Sequence, residues 1–582
     1  MKINKIEIKN FRSILNVEMT FQKLMMFIGQ NNHGKSNMLY AILFFFGEIK
    51  VQELDFFNDS DELYVEIEFD DLDEDDKVTF KKYLTNDDKI LVRKTAYRGG
   101  SFEYNGYIQN PVEDYLKEAC ASDFTKQDIA RTLPIYEYLP QEGRITKANI
   151  IEAQQKYMST NTVEFNYELE ETNFLGLKSV AQGIFGDVFF IPAVKNINDD
   201  LSANKTSIFT KLYSKVIDLV TSNDTDIQTI KDKVTTQFKK LNKYNEDGCT
   251  INESRPIELC QFEDKLSDNM RSWGVNLEIE IIQPNIDDVF KSGVNIWIHD
   301  GIKTDINRKG HGLQRALTFS LIKTLSEHIQ EELIDEGQTR QASKSSYFIF
   351  EEPELYLHPQ AQRSLLDSLI RLSSESQVIL CTHSSSLISL RNYKSISIVR
   401  KNLETKATEI TYCHEELFIG NEKQNFNLLS WINPDRAELF FAKKVILLEG
   451  ATEKTVIPYL ADKMRIFKFE YTLIDCASKE SIPPYISLLN KFSIPYVVVY
   501  DKDHQQDKLQ PARDVADRSS QKIEDTINNS FGKSVIFIND IEEELGMLAG
   551  NASKPYIALQ KISQEAFTIS SSLNDKIITI YE

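Results

Sequence analysis

Apolar residues in the first hundred positions form short runs separated by polar segments, a pattern that predicts a β-rich lobe. After the second predicted strand, Met38, Ala41, Ile42 and Phe45 recur at helical spacing. The sequence therefore predicts that a helix, 34–46, directly follows a buried strand. The strands predicted in this lobe are 2–11, 25–29, 62–70, 89–97 and 102–108.

The pattern becomes mainly helical between about residues 110 and 275. Helices are predicted at 206–220 and 225–242, and a short strand-like run, 188–191, interrupts the segment. We interpret 110–275 as an insertion that forms an arm or a dimerisation element. It carries no sustained heptads, so a long coiled-coil arm is disfavoured.

Strands and helices alternate through the rest of the chain. Before a polar connector, 416–435, strands are predicted at 276–283, 293–298, 347–350, 377–382, 395–400 and 407–412, with helices at 313–332 and 359–372. After a short helix, 436–443, strands at 445–449, 471–475 and 496–500 enclose helices at 453–464 and 480–491. This last order requires right-handed crossovers and a parallel sheet.

Composition narrows the class of protein. The 582 residues indicate roughly two to four domains, and 41% hydrophobic with 27% charged residues is typical of a soluble globular chain. No apolar run is long enough to span a membrane, and the N-terminus lacks the apolar core of a signal peptide. Six cysteines without a CxxC pair favour reduced thiols, a cytoplasmic location and no zinc site. The net charge of −21 argues against a nucleic-acid coat but leaves a nuclease open, because local basic patches decide that affinity.

A phosphate-binding loop is the first candidate site. The segment 29–36, GQNNHGKS, matches G-x-x-x-x-G-K-[ST] in full, follows an apolar strand and opens a helix. Backbone N–H groups of the loop, which contains Asn31 and Gly34, are expected to hold phosphates together with the helix N-terminus. Lys35 is expected to reach the β- and γ-phosphates of ATP, and Ser36 is expected to bind Mg²⁺.

Polar residues at the ends of two later strands complete the expected ATPase site. One apolar run leads into Glu351 and Glu352, and another leads into His383. We expect Glu351 to join the Mg²⁺ shell and Glu352 to act as the general base that polarises the attacking water. His383 is the candidate sensor of the γ-phosphate, with a purely structural role as the alternative.

These motifs resemble the ABC-type ATPase heads of structural-maintenance-of-chromosomes proteins, RecF and their relatives. The run 10–13, NFRS, matches the start common in that group and brings Arg12 into the predicted ATP site. The resemblance implies a homodimer or higher oligomer in which two heads sandwich ATP, each giving its signature helix N-terminus to the partner's γ-phosphate. The best signature candidate, 310–315 with Gly310 and Gly312, departs from the usual serine-glycine-glycine order, and no Q-loop glutamine is placed.

A second candidate site follows two apolar runs nearer the C-terminus. The first run is followed by Glu449 and Glu453, and the second by Asp501 and Asp503. Parallel strands end at one edge of a sheet, so these acids are expected to converge there. Four carboxylates can hold one or two Mg²⁺ or Mn²⁺ ions for phosphodiester chemistry. Glu449 can alternatively serve as a proton shuttle.

Further chemistry is expected downstream of a predicted strand at 535–538. Asp540 or Glu542 is the candidate for an added metal ligand. Lys554 is the candidate for neutralising charge on the pentacoordinate phosphate. A solvated helix start and an ordinary surface lysine are the alternatives.

The acid pattern resembles the Toprim domain found in topoisomerases, primases and certain nucleases. Neither the catalytic-tyrosine domain of a type II topoisomerase nor the zinc ribbon of a bacterial primase is recognisable. An ABC-type head followed by Toprim resembles the overcoming-lysogenisation-defect (OLD) family of ATP-dependent endonucleases, and 438–444 is similar to that family's lead-in. The implied α/β multidomain chain comprises an ATPase N-lobe (1–109), a mostly helical insertion (110–275), an ATPase C-lobe (276–420), a connector (421–443) and a Toprim domain of parallel-sheet βαβαβ order (444–582).

The OLD resemblance implies an ATP-hydrolysing, divalent-metal-dependent DNA endonuclease or nickase that acts in anti-phage defence. The implied cofactors are ATP and Mg²⁺ or Mn²⁺, with one ion at the ATPase site and one or two at the Toprim site. DNA is the expected substrate, a companion defence protein or nucleic acid is the candidate partner, and no membrane partner is expected. Two alternatives stay open: a non-cleaving RecF-like ATPase switch in DNA repair, and an interaction or toxin module whose insertion recognises a trigger.

Overall fold

The structure is a computed structural model. The residues that it describes form several ranges separated by gaps. The predicted helix 206–220 lies outside the described residues, as do most of the predicted strand 276–283 and most of the predicted helix 313–332. The described residues are 1–140, 143–176, 183–193, 225–244, 250–270, 278–279, 281, 297–299, 301–310, 312–314, 316–317, 319–320, 324, 345–432, 434–504, 510–547 and 553–582.

Strands and helices of the described residues follow the predicted α/β order. Among these residues, no helix combines the length and the apolar character needed to cross a membrane. The strands are β1 Lys2–Phe11, β2 Ile14–Thr20, β3 Leu24–Ile28, β4 Glu62–Asp70, β5 Ile90–Tyr97, β6 Phe102–Pro111, β7 Phe165–Leu169, β8 Asp187–Ile191, β9 Trp297–His299, β10 Lys303–Asp305, β11 Ser346–Glu351, β12 Gln377–Cys381, β13 Ile396–Lys401, β14 Thr408–Tyr412, β15 Lys444–Leu448, β16 Tyr471–Asp475, β17 Tyr496–Asp501 and β18 Gly532–Phe537. The helices are α1 Lys35–Phe46, α2 Glu74–Thr79, α3 Gln127–Ala130, α4 Lys147–Thr160, α5 Thr225–Leu241, α6 Ile257–Met270, α7 Pro359–Glu375, α8 Gly420–Ile432, α9 Ala451–Lys463, α10 Ile482–Lys491, α11 Gln510–Thr526, α12 Ile541–Glu544, α13 Lys554–Ile562 and α14 Ser571–Tyr581.

The chain divides into two compact units, one formed by Met1–Pro192 with Gly337–Glu582 and the other by Ala193–Glu336. The predicted insertion, 110–275, thus begins well before the separate unit does. Its first part contributes two strands to the larger unit, because β7 pairs antiparallel with β6 and β8 pairs parallel with β11. The apolar run in β8 is buried by that pairing, so it belongs to a sheet and does not interrupt a helical arm.

An antiparallel sheet forms the N-terminal layer, in the order β2-β1-β4-β5-β6-β7. The strands predicted in this lobe are present with nearly the predicted bounds, but the one predicted at 25–29 is β3, which lies in a different sheet. β2 and β7 are additional. In β2 the buried residues are Ile14, Val17 and Met19, whose mixed spacing of three and two hides the strand period. β7 has no fully buried residue, so it carries little apolar pattern.

A second sheet, in the order β14-β13-β3-β12-β11-β8, is parallel except for β14. α1 packs against β1 and β4 of the first sheet and against β11 and β12 of the second. Nine of its twelve residues are buried, as expected for a helix that is enclosed on all sides. The Phe45 ring centroid lies 5.3 Å from that of Phe185 and 5.8 Å from that of Phe69. This core fixes the helix that follows β3.

A third sheet, in the order β16-β15-β17-β18, is parallel throughout. Its strands alternate along the chain with the helices α9, α10 and α11, as the predicted parallel βαβαβ arrangement requires. The apolar residues of β15 and β17 are buried, which is typical of strands covered on both faces.

The segment between the two parallel sheets is more regular than the predicted connector. α8 occupies most of 416–435, and a 3-10 turn, Pro434–Phe440, replaces the short helix predicted at 436–443. The Phe426 ring on α8 lies 4.4 Å from that of Phe418 and 5.7 Å from that of Tyr485 on α10. These aromatic contacts give α8 an apolar anchor that a solvated linker would lack.

Removal of the Phe45 ring is expected to destabilise the core that α1 forms with the first and second sheets. Phe45→Ala should lower the free energy of unfolding by about 3–5 kcal/mol, because it leaves a cavity between two sheets. Urea unfolding monitored by far-UV circular dichroism measures the change in the free energy of unfolding. Leu54→Ala is the matched control, since Phe45 is 0% exposed and Leu54 is 92% exposed. Equal midpoints for the two variants would contradict the expectation.

Candidate nucleotide site and candidate metal centre

The phosphate-binding loop runs from the end of β3 to the start of α1. Gly29 and Gly34 have φ angles of 143° and 101°, a region that L side chains rarely adopt. A Cβ atom at Gly29 would lie 2.2 Å from Val399 O on β13, and one at Gly34 would lie 2.2 Å from Thr408 Oγ1 on β14. Glycine is therefore required at both positions. α1 has no side-chain N-cap, which leaves its first N–H groups for an anion.

Lys35 lies beneath the loop and is 5% exposed. Its Nζ donates hydrogen bonds to Gly29 O at 3.1 Å and to Gln30 O at 2.8 Å. Burial lowers the pKa of Lys35. Asn31 is exposed at the tip of the loop and Ser36 is half-buried on α1, so both are accessible to a nucleotide.

Arg12 lies beside the first turns of α1. Its Nε donates to Asp55 Oδ1 at 2.8 Å and its Nη1 donates to Asn37 Oδ1 at 3.4 Å. The guanidinium carbon lies 4.4 Å from the centroid of the Tyr40 ring. Because Asn37 and Tyr40 belong to α1, the structure brings the charge of Arg12 to the end of the helix that carries the loop.

Glu351, Glu352 and His383 leave β11 and β12 at the carboxyl edge of the second sheet. β12 lies between β11 and β3, so these residues and the loop converge at one edge. Glu352 has a φ angle of 45°, a left-handed conformation that costs roughly 1–2 kcal/mol. Its Oε1 lies 3.7 Å from His383 Nε2. The Glu351 carboxylate, after burial, raises the pKa of the Tyr40 phenol on α1.

The electrostatics of His383 suit a neutral hydrogen-bonding role. Burial, followed by the charge of Lys35, lowers the pKa of His383 to about 4. At pH 7 the imidazole is therefore uncharged, with one ring nitrogen as a donor and the other as an acceptor. A donor beside Lys35 is what a γ-phosphate oxygen requires.

Glu354 is an additional acid at this site that the sequence pattern did not single out. It is 8% exposed, and its Oε1 accepts the His383 N–H at 2.7 Å. Burial raises the pKa of Glu354. The sequence offered a signal for Glu354, because it is the third acid in the turn after β11. In the structure, its hydrogen bond holds the backbone of His383 in place.

The candidate signature residues belong to the other compact unit. Gly310 is exposed and, with Gly312, opens a short helical segment. Gln314 in that segment is buried, and its Nε2 donates to Ile306 O at 2.8 Å and to Lys309 O at 3.0 Å. Positions 311 and 315 of the predicted signature lie outside the described residues.

At the third sheet, Glu449 and Asp501 leave adjacent strands at the same edge. β15 and β17 are parallel neighbours, which brings their carboxyl ends together. Glu449 Oε2 accepts the Asp501 N–H at 3.1 Å. The two predicted acids on different strands are thus in direct contact.

Glu453 and Asp503 complete the predicted set of four acids. Glu453 lies in the first turn of α9, where its Oε2 accepts the Gly450 N–H at 3.1 Å. Asp503 has a φ angle of 60°, and its N–H donates to Asn539 O at 3.1 Å. This left-handed backbone conformation turns the chain away from the extended direction of β17, which ends at Asp501.

Burial and mutual repulsion oppose the ionisation of this cluster. Burial, followed by the charges of Glu453 and Glu449, raises the pKa of Asp501 to about 9. Burial is also the main cause that raises the pKa of Glu453 to about 7. Asp501 Oδ1 has no hydrogen-bond partner within the described part of the chain. These are the properties of a site that an added cation would stabilise.

The end of β18 adds Glu542 to the cluster, and Asp540 caps the helix that follows. Glu542 is 8% exposed and raises the pKa values of both Glu453 and Asp501. It accepts a hydrogen bond from Thr452 Oγ1 at 3.1 Å and lies 3.2 Å from Lys554 Nζ. Asp540 is the N-cap of α12, and its Oδ1 accepts the Glu543 N–H at 2.8 Å.

Lys479 is a buried cation of this site that the sequence pattern did not reveal. It follows β16 in the 3-10 turn Lys479–Ser481. Its Nζ donates to Asp501 O and lies 3.9 Å from Asp503 Oδ2. The sequence offered a signal for Lys479, because the strand predicted at 471–475 should end at the same edge as its parallel neighbours. The residues that follow it are therefore candidates for the same site.

The donor set fits a hard divalent cation. Among the described residues, no group of three His, Cys, Asp or Glu side chains is arranged so that it could hold a metal ion. Glu449 and Glu453 instead accept backbone N–H groups. Asp501 Oδ1 is nevertheless buried without a hydrogen-bond partner among the described residues, and the carboxyl pKa values are raised, so a positive charge would stabilise the site. Carboxylate oxygens are the ligands that Mg²⁺ and Mn²⁺ prefer.

Together these features define a P-loop ATPase head joined to a parallel-sheet domain with an acidic carboxyl edge. The family model described as an AAA ATPase domain matches residues 1–388, and the chain belongs to that family. A second model, described as the TOPRIM domain of overcoming lysogenization defect protein-like chains, matches residues 440–503. The predicted fold class and the predicted resemblance to the OLD family, an ATPase head followed by TOPRIM, are confirmed.

Curated relatives are similar over much of the chain. The Old nuclease of Escherichia phage P2 is 22% identical and aligns with 100% of this chain and 92% of its own length. The OLD nuclease of Thermus scotoductus is 26% identical over 36% of this chain and 42% of its own length. Endonuclease GajA of Bacillus cereus is 21% identical over 87% of this chain and 76% of its own length. Among solved structures, the Smc head domain bound to the C-terminal domain of ScpA from Pyrococcus furiosus aligns with 74% of this chain and 99% of its own, at 15% identity and a TM-score of 0.34.

The pH dependence of metal binding follows from the raised carboxyl pKa values. Without metal, the folded state keeps a proton on Asp501 up to about pH 9, whereas the unfolded chain releases it near the ordinary value of 3.8. The contribution of Asp501 to stability is therefore lost as the pH rises from about 4 through about 9. A divalent ion takes the place of that proton, so the increase in Tm caused by Mn²⁺ should grow between pH 6 and pH 9.

Thermal unfolding in EDTA and in Mn²⁺ at each pH measures this effect. Asp501→Asn should remove the part of the pH dependence that extends toward pH 9, because the amide does not titrate, whereas Glu453, with a pKa of about 7, still titrates. Asp462→Asn is the control, since Asp462 is exposed at the far end of α9. A Mn²⁺ effect of the same size at every pH would contradict the expectation.

Proposed function

We propose that this chain is an ATP-hydrolysing, divalent-metal-dependent DNA endonuclease or nickase. The observation that carries the proposal is the contact of Glu449 with Asp501 at the edge of a TOPRIM sheet, with Glu453 and Glu542 buried beside them. A phosphodiester suits such a site, because its hydrolysis needs divalent charge at the attacking and leaving oxygens. The relatives named Old nuclease and Endonuclease GajA support a nuclease over other TOPRIM activities.

At the metal centre, Glu449, Asp501 and Asp503 are the proposed ligands, with Glu453 and Glu542 alongside. A divalent ion supplies Lewis acidity and an activated water when it is bound. Glu453, whose pKa is raised to about 7, is suited to hold or release a proton at neutral pH. Lys554 is half-exposed beside Glu542, which suits a side chain that neutralises charge on the substrate phosphate.

At the ATP site, Lys35 binds the phosphates, and Ser36 with Glu351 holds Mg²⁺. Glu352 is the proposed general base, and neutral His383 is the proposed γ-phosphate contact. We propose a homodimer or higher oligomer of heads, in which the signature glycines Gly310 and Gly312 of each molecule serve the nucleotide of the other. The exposure of Gly310 supports this role.

Packing contacts support communication between the two sites. His383 is followed by the 3-10 turn Ser385–Leu387, which packs against the turn Pro434–Phe440. In that second turn Arg436 is 7% exposed, and its Nη1 donates to Tyr485 Oη on α10 at 2.7 Å. α10 begins three residues after Lys479. A change at His383 on ATP binding therefore has a continuous packed route to the acid cluster.

The biological setting that we propose is anti-phage defence in the cytoplasm, with DNA as substrate and a companion protein or nucleic acid as trigger. The resemblance to the OLD family supports the defence role. The described cysteines Cys120, Cys260, Cys381, Cys413 and Cys476 are free thiols, which suits a reducing compartment.

Loss of a proposed metal ligand is expected to abolish nicking of supercoiled plasmid. Asp501→Asn and Glu449→Gln should each lower the nicking rate by roughly 100-fold or more in Mg²⁺ or Mn²⁺, because the charge that holds the ion is removed. ATP hydrolysis should continue, since the two sites use different residues. Gel electrophoresis of the plasmid and release of inorganic phosphate measure the two activities.

The matched control is Asp462→Asn, which makes the same chemical change at an exposed position of α9. Lys35→Ala should remove ATP hydrolysis, because Lys35 is the residue proposed to bind the phosphates of ATP. If Asp501→Asn and Glu449→Gln nick as well as the wild type, the acid cluster is not the nuclease centre. If the wild type does not nick in any condition while it hydrolyses ATP and Lys35→Ala does not, the chain is a non-cleaving ATPase switch.

Arg436 is expected to transmit the state of the ATP site. Arg436→Gln should abolish the difference in nicking rate between reactions with and without ATP, because it removes the hydrogen bond to Tyr485. The rate of ATP hydrolysis should stay within about threefold of the wild type. Arg363→Gln is the control, since its contact with Asp435 at 3.4 Å is exposed. A wild-type response to ATP in Arg436→Gln would exclude this route.

A further inference from the structure

Lys479 occupies an unusual position for a lysine. Its side chain is 6% exposed, whereas lysine is seldom buried without a charged partner. Its Nζ donates to Asp501 O, lies 3.9 Å from Asp503 Oδ2 and lies 5.2 Å from the centroid of the Tyr500 ring. It therefore contacts both ends of the turn that carries two of the proposed metal ligands.

That turn needs a restraint. Asp503 has a φ angle of 60°, a left-handed conformation that is unfavourable for a residue with a Cβ atom. Lys479 joins the carbonyl oxygen of the first residue of the turn to the carboxylate of the last. A single side chain thus stabilises the conformation in which both aspartates sit at the acidic edge.

The charge of Lys479 is as important as its hydrogen bond. Burial lowers the pKa of Lys479, and the neighbouring charges of Glu449, Asp503 and Asp501 act against burial by favouring its charged form. Lys554, by contrast, is an exposed residue that contacts the cluster from outside through Glu542. The site thus combines an outer lysine that a substrate can reach with an inner lysine that it cannot.

We infer that Lys479 is the internal counter-ion of the acid cluster in the metal-free protein, and that it opposes the divalent ion electrostatically. The inference rests on the metal centre of the proposed function and adds a positioning residue that contacts the ligands rather than the substrate. It stabilises the empty site, and it weakens metal binding because an ion held by Asp503 lies close to the same positive charge. A unit charge and a divalent ion about 6 Å apart change the affinity by about tenfold even at the dielectric constant of water.

The test is thermal unfolding of the full chain in EDTA and over a titration with Mn²⁺. Lys479→Gln should have a lower midpoint than the wild type in EDTA, because the acids lose their counter-ion. Its half-saturating Mn²⁺ concentration should be about tenfold lower than that of the wild type, because the opposing charge is gone. Lys479→Arg should restore both values toward those of the wild type. Lys463→Gln, which removes an exposed lysine at the far end of α9, should change neither.

The outcomes separate the inference from the proposed function. If Mn²⁺ does not raise the midpoint of the wild type, the metal centre and the inference both fail. If Mn²⁺ stabilises the wild type and Lys479→Gln with the same half-saturating concentration, or stabilises the variant only at a higher one, the inference alone fails.

A second variant covers the case in which Lys479→Gln does not fold in EDTA. The double variant Lys479→Gln/Asp503→Asn removes one charge of each sign and should fold in EDTA, where Lys479→Gln alone does not. Failure of the double variant to fold would overturn the counter-ion role, because the defect would then lie in packing and not in unbalanced charge.

Discussion

Repulsion among buried carboxylates is the constraint on which the C-terminal domain depends. Glu449, Glu453, Asp501 and Glu542 meet at one edge of a sheet whose two central strands, β15 and β17, are mainly apolar. The cost of this arrangement is visible in the raised pKa of Asp501, which burial and its acidic neighbours bring to about 9. Such a cost is tolerated where it makes a site that binds a cation strongly. The hydrophobic packing of β15 and β17 holds the acids where their own charges would separate them.

Both sites follow from one property of parallel sheets. In the second sheet the carboxyl ends of β3, β11 and β12 assemble the phosphate-binding loop, Glu351 with Glu352, and His383. In the third sheet the ends of β15, β17 and β18 assemble the acid cluster. At the same edges, Glu352 and Asp503 have positive φ angles without being glycine. The regular strands supply the rigidity, and the residues just beyond them supply the chemistry.

The two sites are joined by a buried connection. Arg436 lies between the turn that packs against the His383 loop and Tyr485 of α10, and it is nearly inaccessible to solvent. α8 adds an aromatic contact to the same helix through Phe426. The parts of the ATPase head that carry the phosphate-binding loop, Glu351, Glu352 and His383 belong to the same compact unit as the TOPRIM domain, whereas Ala193–Glu336 forms another. The proposed coupling between nucleotide state and cleavage would use this connection.

Much of this organisation is encoded locally and was predictable. The match of residues 29–36 to the phosphate-binding loop, and the acids after the runs that became β11, β15 and β17, depend on short-range patterns that one sequence displays. The place of β8 was not predictable, because a five-residue apolar run does not tell which sheet will bury it. The choice between Asp540 and Glu542 was also undecided, since both follow β18 and only the packing of α12 makes one a helix cap and the other a buried acid. Lys479 shows the same limit most clearly. The sequence determined which residues carry the chemistry at strand ends, whereas the tertiary structure decided which distant charges meet, because burial and electrostatic partners arise only when separate strands pack side by side.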